Sequence, residues 1–168
     1  MTVLTERNLQ LVLPANATGR KFDVSATHKL SHCMKAVDFI VEFPTHICFV
    51  EFKDPDVSGA KPENAEKYIR QFKAGEGEFD QTLKTKFRDT WLYEYGEKRC
   101  NKPVYYLVLV AISSLTSADL LRRTEALKRN IPLLGSNGNQ WPFAADCAVM
   151  NLERWNEIFK DMPVFRLP

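Results

Sequence analysis

Three charged side chains, Asp38, Glu51 and Lys53, interrupt two apolar segments, Val37-Asp38-Phe39-Ile40-Val41-Glu42-Phe43 and His46-Ile47-Cys48-Phe49-Val50-Glu51-Phe52-Lys53. The segments read as two strands joined by a tight turn at Pro44-Thr45. Charged groups are seldom buried unless they are paired or hold a metal. Setting three of them in an apolar hairpin therefore points to a functional site. Side chains alternate along a strand, so Glu51 and Lys53 share a face. A hairpin symmetric about Pro44-Thr45 sets Asp38 directly opposite Glu51, with Cβ atoms roughly 4.5–5.5 Å apart. Two carboxylates that close repel unless a cation lies between them. Oxygen donors favour Mg²⁺, with Mn²⁺ as substitute, over zinc. The bland alternative is a salt bridge in which Lys53 neutralises Asp38 or Glu51. Glu42 shares the face of Asp38 by alternation and falls at the solvated end, near the turn.

Asp38, twelve intervening residues and then Glu51-Phe52-Lys53 resemble the D…(D/E)xK signature of the PD-(D/E)xK nuclease superfamily. The resemblance implies an α/β, restriction-endonuclease-like fold, with a mixed central β-sheet flanked by helices, as a single domain over residues 1–168. It implies an Mg²⁺-dependent endonuclease that hydrolyses phosphodiester bonds of nucleic acid, DNA rather than RNA. Asp38, Glu51 and the backbone carbonyl of Phe52 would bind the metal, and Lys53 would orient and activate the attacking water. Val37 stands where the superfamily's name has proline. Many members carry a further acid upstream, for which Glu6 and Asp23 are both available. The helix after the ExK strand often adds a glutamine or lysine, and Gln71, Lys73, Lys84 and Lys86 are the positions at hand. The alternative is a catalytically silent module of the same fold that binds nucleic acid or protein within a larger complex.

The 168 residues suit one domain with a substantial core. A composition of 45% hydrophobic and 26% charged residues is that of a soluble globular protein. The net charge of +2 provides no global attraction to polyanions. Phosphate contacts would have to come from local clusters: Arg20-Lys21, Lys29 and Lys35, then Lys84, Lys86 and Arg88, then Arg122-Arg123 with Lys128-Arg129. Each cluster reads equally well as a solvated face. Cys33, Cys48, Cys100 and Cys147 are scattered and include no CxxC, which suggests a reduced, cytoplasmic protein. Cys48 and Cys147 read as small buried hydrophobes. Glu6 and Arg7 precede only the short run Leu9–Leu13, unlike a signal peptide, and the longest apolar run, 104–112, is too short to cross a membrane. Besides nucleic acid, the expected partner is a second copy, as a homodimer, or another subunit; the tail Met162-Pro163-Val164-Phe165 is a docking candidate, with core packing the ordinary role for most of the chain's aromatics.

The elements that must position these residues follow from spacing. Leu9–Leu13 reads as a strand or a short helix, and Phe22-Asp23-Val24-Ser25 as a short strand. His28 and His32, four apart beside Cys33, would suit a zinc pair on a helix, although no second ligand pair follows. Asp54-Pro55-Asp56 ends the Lys53 strand and 58–62 is a polar loop. Ala65, Tyr68, Ile69 and Phe72 mark a helix from Glu63. Gly75 and Gly77 interrupt it. Phe79, Leu83, Phe87 and Trp91 continue the pattern as one broken helix or two, with Asp80, Lys84 and Arg88 opposite. The run 104–112 is apolar on both faces, as in a central strand covered by helices on each side. Ser117 would cap a helix with Asp119 in its first turn, ending at Ile131-Pro132. The loop 135–139 lacks the GKS or GKT of a phosphate-binding loop. Cys147 to Asn151 reads as a late strand, and Leu152, Trp155 and Phe159 as a short C-terminal helix.

Overall fold

Apolar side chains on both faces of consecutive strands need a covering layer on each side, and the chain supplies two different ones. The computed structural model describes residues 2–24, 31–55, 62–75, 78–133 and 143–167. In chain order the elements are β1 (Thr2–Glu6), β2 (Leu9–Leu13), β3 (Thr18–Lys21), β4 (Phe39–Glu42), β5 (Ile47–Lys53), α1 (Pro62–Ala74), α2 (Phe79–Gly96), β6 (Val104–Val110), α3 (Ser117–Asn130), β7 (Asp146–Met150), α4 (Leu152–Ile158) and β8 (Val164–Arg166). Among the described residues this is a mixed α/β fold with two sheets and four helices. The main sheet has the order β3-β4-β5-β6-β7, and the smaller one β1-β2-β8.

The β4–β5 hairpin has the symmetric register, with Phe39 opposite Val50 and Glu42 opposite Ile47. Asp38 itself lies one residue before β4, in a bend rather than in the strand. β5, β6 and β7 run parallel, so their carboxyl ends open at one edge. Parallel sheets bind ligands at that edge, and Glu51 and Lys53 close β5 there.

One face of the main sheet presents Ile40, Phe49, Tyr106, Val108 and Val149 to Phe72 of α1, Leu83, Phe87 and Trp91 of α2, and Leu120 and Leu127 of α3. The opposite face presents Phe39, Val41, Val50, Phe52, Leu107 and Leu109 to Leu9, Leu11 and Leu13 of β2 and to Trp155 of α4. The expectation of helices on both sides is therefore corrected. The small sheet and α4 cover the second face, because alternation in β2 buries Leu9, Leu11 and Leu13. Gly19 makes the close approach possible, since a Cβ there would collide with Leu13 and Leu4.

The tail Met162-Pro163-Val164-Phe165 completes the small sheet. Val164 pairs with Leu11, and Met162 and Val164 are buried while Phe165 is exposed. The strand expected at 22–25 lies earlier, at β3. The helix pattern from Glu63 resolves into two helices, with Gly75 at φ 75° ending the first. Thr116 rather than Ser117 caps α3, in a reciprocal box with Asp119. His32 is exposed in a turn at 31–33, and His28 lies outside the described residues, as do 25–30, 56–61, 134–142 with Trp141, and Gly77. None of the described helices is long and apolar enough to cross a membrane.

Candidate functional site

Because β4 begins one residue after Asp38, the backbone of Phe52 has no ladder partner on that edge. The Asp38 carboxylate takes the vacant place, and its Oδ2 accepts the Phe52 N–H at 2.7 Å. In an extended strand the N–H and C=O of one residue point to the same edge, so the Phe52 carbonyl also faces the Asp38 side. The Asp38 carbonyl in turn accepts the N–H of Phe22 at 2.7 Å, which brings Asp23 alongside. The turn after β1, with Arg7 at φ 53°, delivers Glu6 from the other sheet. Oxygens of Glu6, Asp23 and Asp38 lie within 4.8 Å of one another.

Glu51 is fully buried and Asp38 is nearly so. Three ammonium groups answer the acids. Lys53 Nζ lies 2.5 Å from Glu51 Oε1. Lys21 Nζ lies 2.6 Å from Glu6 Oε2. Lys86 of α2 lies between the two buried acids, 2.7 and 2.9 Å from the oxygens of Glu51 and 3.3 Å from Asp38 Oδ1. Asp38 and Glu51 thus face the same side and share one cation position. The four acids, Lys53 and Lys86, together with Tyr68, Arg7 and Asp54, line a cleft of about 380 Å³.

The electrostatics follow from burial. Desolvation, and after it the charge of Asp38, push Glu51 up to about 6, outweighing Lys53 and Lys86. Burial, then Asp38 and Glu6, also raise Asp23. Burial pulls Lys86 down, but Glu51 and Asp38 more than compensate, so its pKa is raised and it stays an ammonium. The donors facing the cleft are carboxylates and a carbonyl, a set for a hard divalent ion rather than for zinc. Opposed oxygens around Mg²⁺ stand about 4.2 Å apart, a separation that the Glu6, Asp23 and Asp38 oxygens, within 4.8 Å of one another, accommodate; Glu51 stands outside that group and meets Asp38 through Lys86. The residues present fit such an ion.

Asp38, Glu51, Phe52 and Lys53 lie together, joined by the Phe52 N–H bond to Asp38 and by the Lys53–Glu51 ion pair that the alternative reading gave. Both upstream acids, between which the sequence offered no choice, converge on Asp38, from a strand end and a bend rather than from a helix. Of the possible nucleic-acid contacts, Lys86 turns into the acid cluster. Gln71 lines an adjoining cavity that shares Lys53 and Tyr68 with the cleft. Lys73 faces Asp119 at 3.7 Å, Arg88 pairs with the neighbouring Asp89, and Lys84 is half-buried on α2. Several other basic residues are held in ion pairs, Arg20 with Glu94, Arg123 with Asp80 and Lys128 with Asp146. The sequence reading missed Tyr68 as a cleft wall and β1 as the carrier of Glu6. Lys86 had a signal: it stands three residues after Leu83 and four before Thr90, both buried, and so within the buried stripe of α2. In comparisons with known proteins, no family model, no curated sequence and no solved structure matched the chain.

Proposed function

We propose that this chain is a metal-dependent nuclease of the PD-(D/E)xK type, with a restriction-endonuclease-like fold, hydrolysing phosphodiester bonds of nucleic acid, DNA in preference to RNA. The observation that carries the reading is the shared cation position of Asp38 and Glu51 at the carboxyl end of β5, with Lys53 on the same face. Asp38, Glu51 and the Phe52 carbonyl would hold Mg²⁺, with Asp23 and Glu6 as the additional acids. A bound Mg²⁺ acidifies its water and offsets charge on the phosphate oxygens. Lys53 orients the attacking water by hydrogen bonding and meets negative charge as it develops. Asp38 fixes the edge of β5 through the Phe52 N–H, and Glu51 holds the Lys53 ammonium in place.

A panel of single- and double-stranded DNA and RNA, incubated with Mg²⁺, Mn²⁺ or chelator, tests this reading. We expect cleavage that depends on the divalent ion and stops with chelator. No cleavage of any substrate, with no Mn²⁺ binding by calorimetry, overturns it. One observation favours a silent module of the same fold: Lys53 and Lys86 already neutralise the buried acids. That alternative predicts a gel shift without cleavage.

A further inference from the structure

We propose that Lys86 is a resident counter-ion for the Asp38–Glu51 pair, which a divalent cation has to displace in order to bind there. The inference rests on the metal-binding reading above and adds how that site is controlled. Two buried carboxylates facing one another repel and need a positive charge between them. Lys86 supplies it from the helical layer, reaching both Glu51 oxygens at 2.7 and 2.9 Å and Asp38 Oδ1 at 3.3 Å. Lys53 does not do the same work, because its ammonium contacts the Glu51 side of the pair. Nor does Lys21, which answers Glu6 at the rim.

A divalent ion gripping the same oxygens would stand within bonding distance of the place the ammonium fills. The two like charges exclude each other at that range. The Lys86 stem rises from the buried face of α2 beside Leu83 and Phe87, so the backbone of the helix need not move for the head group to leave. A flexible four-carbon stem allows such a swing. Lys86 lines the cleft, which gives the displaced ammonium room and solvent. In this arrangement the fold stays intact without metal, and affinity for the ion is set by competition with a tethered charge.

Removing the charge therefore has effects of opposite sign. Without metal, Lys86→Met leaves two buried carboxylates facing each other, and the melting temperature in EDTA should fall by roughly 5 °C or more. With metal, the competitor is gone, and Mn²⁺ should bind about tenfold tighter or better. Lys86→Arg keeps the charge and should behave like the wild type in both respects. A lysine that only braces the fold lowers stability without improving metal affinity. The experiment is calorimetric titration of the full chain with Mn²⁺, paired with melting in EDTA and in Mn²⁺, for the wild type and both variants. Lys86→Gln, which keeps a hydrogen-bond donor, replaces the Met variant if that one does not fold. Equal or weaker Mn²⁺ binding by the neutral variant overturns the counter-ion role while leaving the metal site standing. Absence of Mn²⁺ binding to every form overturns the metal reading and this inference together.

Discussion

Lys53 and Lys86 hold the same carboxylate but enter from different layers, and their roles separate accordingly. Lys53 is continuous with β5 and shares the face of Glu51. Under the nuclease reading, Lys53→Ala should reduce the cleavage rate by roughly 10²–10⁴-fold, the usual range for a group that assists proton transfer. Mn²⁺ affinity from the same calorimetric titration should hardly change, and full activity in the variant removes Lys53 from the chemistry. Glu51 supplies a second expectation at this scale. Burial and Asp38 raise it from its ordinary 4.5 to about 6. Between those values the native state binds more protons than the unfolded chain. Stability without metal should therefore fall by about 2 kcal/mol as pH rises from about 4.5 to about 6, then level off. Mn²⁺ affinity should climb over the same window, because the ligand must lose its proton to bind. Urea midpoints and Mn²⁺ titrations from pH 4 to 8 check both signs. Burial pushes the thiols of Cys48 and Cys147 up to about 12, consistent with their reading as small inert hydrophobes.

α2 is the element on which the site most depends. It carries Lys86 and also pins the chain that leads into Asp38. The Asp89 carboxylate accepts the Lys35 N–H at 2.9 Å, and Thr90 Oγ1 accepts the buried Val37 N–H at 3.1 Å. Further along, Glu94 is gripped by Arg99 at 2.9 Å and by Arg20 of β3. Thr90→Val keeps the shape of the side chain but orphans the Val37 N–H. We expect a loss of about 1–3 kcal/mol in urea unfolding, together with weaker Mn²⁺ binding, because Asp38 follows directly. A stability loss with unchanged metal affinity would show that Asp38 is positioned from β5 alone. At the other end of the hairpin, Glu42 meets Lys102 at 2.7 Å near the turn, away from the acid cluster.

At the scale of the molecule, the acids reach the cleft from both sheets, so the packing of one sheet on the other becomes part of the site. Glu6 arrives on β1, whose sheet rests on β3 where Gly19 leaves room. Gly19→Ala should cost about 1–3 kcal/mol through overpacking and, by shifting β1, weaken metal binding while leaving α2 helical by circular dichroism. An unchanged midpoint and Mn²⁺ affinity would mean that the small sheet yields freely and that Glu6 is not part of the grip.

The local parts of this arrangement were legible in the order of residues. The β4–β5 register follows from the symmetry of two apolar runs about Pro44-Thr45, and that symmetry puts Asp38 across from Glu51. Strand alternation did the same for Glu51 and Lys53, and the glycines at 75 and 77 marked a break in the helical pattern, leaving one broken helix or two open. These features depend on neighbours a few residues apart. Pairing β8 with β2, seating Glu6 and Asp23 beside Asp38, and turning Lys86 into the acids join segments distant in the chain. Such contacts depend on which apolar faces meet, and a pattern of periods does not encode which strand covers which face. Only the closing of the small sheet over the main one, and of α2 over the other side, brought the four carboxylates and their lysines to one cleft.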